Sequence, residues 1–206
     1  MISPANILRR AGLGMAAAGA SLALTACISL GAEPPESLIT LSATASAPAG
    51  AGASAGREDS AAAIAVLTPE VPAKLDVLRV PVNVSDTQVA YLQEAVWIEK
   101  PARLFRRMIG EILRLRGGAL VLDSDDTPTL AGVSLRGTLS EMSYDAPTSS
   151  VVVRFDAVRT DSSGAVLSRR FEARESGVAP EAEFVGPALN RAANTVAGEV
   201  ADWVLE

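Results

Sequence analysis

The chain has 206 residues, of which 24 are acidic and 18 basic, so its formal net charge is −6. An acidic chain is a poor partner for nucleic acid, and anionic lipid would not hold it electrostatically. The sequence contains no histidine and a single cysteine. It therefore lacks the usual Ser-His and Cys-His catalytic pairs and most kinds of zinc site, and it cannot form an intramolecular disulfide.

Residues 1–26 have the pattern of an export signal. Arg9 and Arg10 precede the uncharged run 11–26 (AGLGMAAAGASLALTA), which ends in small residues. As a helix this run would span about 24 Å, which is less than the roughly 30 Å hydrocarbon layer of a membrane. The pattern favours a cleaved signal over a permanent transmembrane helix, and an ordinary positive start over a twin-arginine signal.

The only cysteine stands at the end of this segment. Leu24-Thr25-Ala26-Cys27 resembles the lipobox of bacterial lipoproteins, in which the thiol takes a diacylglyceryl group, the signal is cut before it and the new amino group is acylated. The resemblance implies lipidation of Cys27 with acyl chains such as palmitate, and several chains suffice for stable anchoring. The residue after Cys27 is Ile28 and not an aspartate. By resemblance to sorted lipoproteins, this indicates that the protein is anchored in the outer membrane and faces the periplasm. The alternative is that Cys27 is an unmodified cysteine buried in the protein.

Removal of 26 residues would leave 180, enough for one domain with a real core, and a net charge of −8 because Arg9 and Arg10 are lost. Residues 27–37 are expected to form the lipidated cysteine and a tether, and residues 38–206 the domain. The Ala/Gly/Ser-rich stretch 42–61 is expected to be a flexible loop. It could instead extend the tether, with the fold beginning near Ala62.

Strands are predicted at 38–41, 64–67, 75–84 and 88–92, with Pro81 at an edge or a bulge because it cannot donate a ladder hydrogen bond. A helix is predicted over 101–116, since apolar residues recur there at three- and four-residue spacing. They are Leu104, Phe105, Met108, Ile109, Ile112 and Leu115. Gly117-Gly118 is expected to end this helix, and a strand at 119–122 to follow it.

Three hairpin-linked strands are predicted in the region 133–174. The alternation of apolar residues shifts at Met142, which indicates a bulge. A final helix is predicted over about 182–205. Its apolar stripe comprises Val185, Leu189, Ala192, Val196, Val200 and Trp203. Together these elements predict an α+β fold: a single mixed, largely antiparallel sheet with amphipathic helices packed on it.

No motif predicts a cofactor or a metal ion. The acidic run 123–126 lacks the spaced ligands of a calcium loop and is better explained as a solvated turn. Gly117-Gly118 is not followed by the Lys and Ser/Thr of a phosphate loop. Trp97 is expected to anchor packing rather than to bind a ligand. Cys27 is thus the only residue with a predicted site role.

The stretch 89–113 (VAYLQEAVWIEKPARLFRRMIGEIL) contains a tyrosine, an Ala-x-Trp sequence and an arginine-bearing helix. Together with the lipobox at Cys27, the strand at 38–41, the hairpins of 135–174 and a last helix with Trp203, it resembles the ABC-type transport auxiliary lipoproteins of the paraquat-inducible protein C type. The resemblance covers nearly the whole predicted mature chain. The stretch 42–61 departs from it, since it is longer than the family pattern.

This resemblance implies a role without chemistry of its own. Family members are outer-membrane lipoproteins that work with an ABC permease, its ATPase and a substrate-binding protein of the MCE type to move lipids between the inner and outer membranes. The lipoprotein would dock or receive the periplasmic end of the MCE assembly, in one arrangement as a ring of copies.

Two other classes of protein stay open from the residues alone. A membrane-anchored periplasmic hydrolase would use two close carboxylates in a deep pocket. A structural assembly lipoprotein would seat an outer-membrane partner, such as a β-barrel protein.

Overall fold

Seven strands form one mixed sheet in the described part of the computed structural model, which comprises residues 37–50, 63–117, 120–122 and 131–206. The strands are β1 (Ile64–Val66), β2 (Arg79–Ser85), β3 (Gln88–Val96), β4 (Val121–Leu122), β5 (Val133–Asp145), β6 (Ser150–Thr160) and β7 (Val166–Ser176). The helices of the described residues are α1 (Pro101–Gly117) and α2 (Ala182–Leu205), and a 3-10 turn covers Ala73–Leu75. The predicted fold class is confirmed. Neither helix of the described residues is long and apolar enough to cross a membrane.

The long strand β5 organises the sheet. One of its edges pairs antiparallel with β6 over nearly its whole length, and β6 pairs antiparallel with β7. Its other edge is shared, since β1 pairs parallel with its start and β2 pairs parallel with its end. β4 lies beyond β1, and β3 lies beyond β2. The predicted three-stranded meander is therefore confirmed as β5–β6–β7.

The predicted bulge is present in β5. Leu139 pairs with Phe155 and Glu141 pairs with Arg154, so Ser140 is the extra residue. Because one residue is added, Leu139 and Met142 both face the core although they are three residues apart.

Gly137 makes room for an aromatic ring between β5 and α1. A Cβ at this position would lie 2.2 Å from the Asp156 carbonyl oxygen and 2.8 Å from two carbons of the Phe155 ring. That ring packs edge-on against Phe105 of α1, with 5.4 Å between the ring centroids. The glycine therefore allows this aromatic contact between the sheet and α1.

Both helices pack on one face of the sheet. The predicted stripe of α2 is buried throughout, and so are the first five predicted apolar residues of α1. The prediction is wrong for Leu115, which is exposed, whereas Leu113 is buried. In the same last turn of α1, the Arg116 guanidinium donates to the Gly198 carbonyl oxygen of α2 (2.7 Å).

Two predicted strands start or extend differently in the structure. The predicted strand 75–84 begins with a 3-10 turn that buries Leu75, and β2 starts only at Arg79. The predicted strand 38–41 is a single parallel bridge between Ile39 and Trp97. Pro81 lies where the register of β2 against β3 shifts, as predicted, and the buried Trp97 is a packing residue, as predicted.

Residues 42–47 run across both helices and form what we call the strap. The backbone N–H groups of Ser42 and Thr44 donate to the side-chain oxygens of Asn190 and Asn194, each at 2.8 Å. The N–H of Ala47 donates to Glu111 of α1, also at 2.8 Å. The prediction of a flexible loop over 42–61 did not include these hydrogen bonds. Residues 51–62 lie outside the described residues.

Candidate docking surface

Cys27, the predicted lipidation site, lies outside the described residues, which begin ten residues later at Ser37. Ile39 already belongs to the domain. Its N–H donates to the Val96 carbonyl oxygen (2.8 Å), and its own carbonyl oxygen accepts from the N–H of Ile98 (2.9 Å). A tether from Cys27 therefore ends before Ile39.

The hairpin of β2 and β3 extends past the end of β5. Asn83 is the last residue of β2 that pairs with β5, opposite Asp145. All residues of the segment 84–90, which we call the hairpin tip, are exposed. Val84 and Val89 are thus placed in solvent without serving the core, although valine favours burial.

The two long outer strands of the sheet, β3 and β7, differ in charge. Among the described residues β7 pairs only with β6, and five of its residues are charged: Arg169, Arg170, Glu172, Arg174 and Glu175. In the described part of the chain β2 is the one strand that pairs with β3, and residues 88–92 (QVAYL) of β3 carry no charge. Charges on an edge strand discourage pairing with another chain, whereas an uncharged free edge can accept an added strand. The edge of β3 is therefore the better docking edge.

A bulge separates this edge from the rest of β3. Pro81 pairs with Tyr91 and Arg79 with Val96, so four residues of β3 (92–95) are opposed by Val80 alone on β2. Glu94 within this bulge has a φ of 58°, which is unusual for a residue other than glycine. The bulge bends β3 and leaves the free edge as a short segment next to the hairpin tip.

A polar cluster fixes the base of the hairpin on the sheet face opposite the helices. The Lys74 ammonium lies 2.7 Å from Glu141 Oε1 and 3.2 Å from Asn83 Oδ1. The Asn83 amide donates to Ser143 Oγ (3.1 Å), and the Ser143 hydroxyl donates to Glu141 Oε2 (2.8 Å). These bonds join the 3-10 turn, β2 and β5 at the point where the hairpin leaves the sheet.

The charge of Glu141 is stabilised within this cluster. Burial raises the pKa of its carboxyl group, but hydrogen bonds from Lys74, Ser143 and Asn83 and the positive charge of Lys74 outweigh burial. The pKa of Glu141 therefore lies below its ordinary value, and the group is ionised at neutral pH.

Ion pairs cover the rest of this face across β5, β6 and β7. The pairs are Arg154–Glu172, Arg170–Asp156 and Arg174–Asp145. A hydrogen bond from Arg170 is the main cause that holds the pKa of Asp156 below its usual range, and Ser140 adds a second. The carboxylates of these pairs bind arginine side chains on neighbouring strands, so their role is structural.

The structure places no metal-binding group of three or more His, Cys, Asp or Glu side chains within the described ranges. The acidic run 123–126 lies outside them.

Sequence reasoning missed the hairpin as a unit, because it predicted strands at 75–84 and 88–92 without joining them. The signal was available, since the polar residues Ser85, Asp86 and Thr87 form a short turn between two apolar segments.

The family model of the ABC-type transport auxiliary lipoprotein component matches residues 40–201. The chain belongs to this family, as the resemblance predicted. No curated protein matches the sequence.

Solved structures support the fold. A crystal structure of a protein from Xanthomonas campestris is similar with a TM-score of 0.61 and 17% identity, over 69% of this chain and 83% of that chain. A second crystal structure, of an uncharacterized protein, also has a TM-score of 0.61, with 15% identity over 69% of this chain and 92% of that chain. At these identities the likeness establishes the fold alone.

Proposed function

We propose that this chain is a non-catalytic outer-membrane lipoprotein of an MCE-type ABC transport system, which moves lipids between the inner and outer membranes. Its membership in the auxiliary lipoprotein family over residues 40–201 carries the proposal. The partners are a substrate-binding protein with an MCE domain, the ABC permease and the ATPase. The chain acts as the docking or receiving part of this system, and a homo-oligomer is one arrangement for it.

Acyl chains on Cys27 supply the membrane attachment in this proposal. The remaining tether, residues 28–37, lies between the lipid and the domain. The domain is then held on the periplasmic side of the outer membrane, where it can meet a partner that crosses the periplasm.

The hairpin tip and the free edge of β3 form the docking surface in this proposal. Val84 and Val89 offer apolar contact on the two sides of the hairpin, since successive residues of a strand point to opposite faces. The uncharged edge at 88–92 offers unpaired backbone groups to a partner strand. The polar cluster around Lys74 and Glu141 holds the hairpin in place, which reduces the entropy lost on binding.

A pull-down of the full-length protein from its native membranes in mild detergent tests the proposal, with partners identified by mass spectrometry. We expect an MCE-domain protein together with a permease and an ATPase. Recovery of a β-barrel protein alone would contradict the transport role and favour a structural assembly lipoprotein. Recovery of no partner, together with a measurable hydrolytic turnover, would contradict the non-catalytic role.

A further inference from the structure

Exposed apolar side chains surround the point at which the chain enters the domain. Leu38, Leu78 and Ile98 expose 50, 44 and 58% of their surface, and we call them the entry corner. Backbone hydrogen bonds hold them together, since Ile98 donates to Ile39 and Trp97 donates to Leu78 (2.8 Å). The three residues therefore lie next to these two backbone hydrogen bonds, close to one another in the fold.

The outward direction of Leu38 and Ile98 follows from the strand pattern. Their neighbours Ile39 and Trp97 form a parallel bridge and pack toward the core. Since side chains alternate along a strand, Leu38 and Ile98 point away from that core. Their exposure is therefore built into the register and is not the result of a loose chain end.

Charges near the entry corner are already paired. Lys100 lies 2.7 Å from Asp76, and Glu99 accepts from Arg107. Arg79, which follows Leu78, stacks its guanidinium over the Tyr91 ring at 5.0 Å from the centroid. Long cationic side chains and tyrosine rings are suited to a membrane–water interface, because each combines an apolar body with a polar end.

We propose that the entry corner rests on the surface of the membrane to which Cys27 anchors the chain, with Leu38 and Ile98 among the lipids. This inference rests on the proposed lipidation of Cys27. Ten residues separate Cys27 from Leu38, so the two cannot be more than about 40 Å apart. Such a short tether gives the entry corner a high effective concentration at the lipid surface, so that even a small apolar contact is populated.

Contact at the entry corner leaves the hairpin tip, with Val84 and Val89, free. β2 runs from Arg79, beside the entry corner, to Ser85 at the hairpin tip. The ends of this seven-residue strand are roughly 20 Å apart. One end of the hairpin thus lies against lipid while the other faces a periplasmic partner.

Fluorescence quenching by lipids tests this inference on the full-length lipidated protein. The chain has one cysteine, and lipidation blocks its thiol, so an introduced cysteine is the only labelling site. Ile98→Cys is labelled with an environment-sensitive dye, and the protein is placed in phosphatidylethanolamine–phosphatidylglycerol vesicles with brominated acyl chains. Val166→Cys is the matched control because Val166 has the same exposure, 58%, at the start of β7. Leu38→Cys and Leu167→Cys, 50 and 46% exposed, form a second pair.

We expect the labels at positions 98 and 38 to lose emission to the brominated lipids, and those at 166 and 167 to keep it. Equal quenching of all four labels would overturn the inference. A label at 98 that is shielded from water but insensitive to brominated lipid would also overturn it, because protein would then cover the entry corner. Labelling of the unsubstituted protein would show a free thiol at Cys27 and would overturn the anchor itself.

Discussion

Lys74 and Glu141 form an ion pair, with 2.7 Å between Nζ and Oε1, that joins the 3-10 turn before β2 to the bulged centre of β5. Both side chains are mostly buried, with 22 and 18% of their surface exposed. The pair therefore fixes the segment that leads into β2 and sets the position at which the hairpin leaves the sheet.

Replacing Glu141 tests the energetic role of this pair. Glu141→Gln leaves the Lys74 ammonium largely buried without its counter-charge, and we expect a loss of about 1–3 kcal/mol in the free energy of unfolding at pH 7. Urea unfolding of residues 27–206 carrying Cys27→Ala measures it. Glu175→Gln is the control, since its pair with Arg191 is exposed (3.3 Å) and should be worth less than about 1 kcal/mol.

The same pair predicts a pH dependence. The pKa of Glu141 is lower in the folded chain than its value of 4.5 in the unfolded chain. The unfolded chain therefore binds a proton first as the pH falls, so the stabilisation is fully present above about pH 4.5 and is lost as the pH falls through the folded pKa. As the pH falls from about 6 into the acid range, the free energy of unfolding should decrease less for Glu141→Gln than for the unsubstituted domain. The difference should correspond to roughly the proton uptake of one carboxyl group. An identical pH profile for the two would contradict the assignment.

Gly137→Ala should be strongly destabilising. The added Cβ would approach the Asp156 carbonyl oxygen to 2.2 Å, and neither this backbone nor the Phe155 ring can move without disturbing the contact with α1. We expect a loss of about 3 kcal/mol or more, at the upper end of overpacking effects. Gly186→Ala in α2 is the control, because its nearest atoms would lie 3.6 Å away, and alanine in a helix is worth about 1 kcal/mol over glycine. Similar effects of the two substitutions in thermal unfolding would contradict this account.

Asn194→Ala should release the strap from α2. Its side-chain oxygen accepts from Thr44, and its amide donates to the Ser42 carbonyl oxygen (2.9 Å). Loss of these exposed bonds should cost about 1 kcal/mol and raise hydrogen exchange at residues 42–47. Thr195→Ala is the control, since its hydroxyl donates to the Arg191 carbonyl oxygen within the same helix. Unchanged exchange of the strap in Asn194→Ala would show that other contacts hold it.

Cys27→Ala should move the protein from the membrane fraction to the soluble periplasmic fraction without unfolding the domain. The acyl chains would be absent, and the entry corner alone is too small to hold the chain on lipid. Fractionation with immunoblotting, together with circular dichroism of the purified variant, gives the answer. Firm membrane attachment of this variant would contradict lipidation at Cys27.

Periodicity alone predicted the long elements correctly. The stripe of α2 and the alternation in β6 extend over many residues, so a single misplaced residue does not change the pattern. The bulge at Ser140 was visible because a shift of phase moves Leu139 and Met142 to the same face. Leu115 was misassigned because it keeps the three- and four-residue spacing of the apolar face, and only the tertiary structure shows that the last turn of α1 leaves it exposed.

The parts of the candidate site that depend on distant residues could not be predicted. The partnership of Lys74 with Glu141 joins positions 67 residues apart, and the strap pairs Thr44 with Asn194. Neither leaves a periodic pattern, since each consists of a few polar atoms that meet only in the folded chain. The free edge of β3 likewise becomes evident only when the sheet order is known.

Quantitative co-purification of the hairpin variant tests the central claim most directly. Full-length protein carrying Val84→Asp and Val89→Asp is compared with the matched control Val166→Asp and Leu167→Asp, in which two exposed apolar residues of β7 change instead. We predict that the control recovers the MCE-domain protein at the level of the unsubstituted chain, and that the hairpin variant loses it because charge at the tip and the free edge opposes docking. Equal recovery by both variants, each folded by circular dichroism, would contradict docking through the hairpin tip, and the absence of an MCE-domain protein from every sample would contradict the transport role.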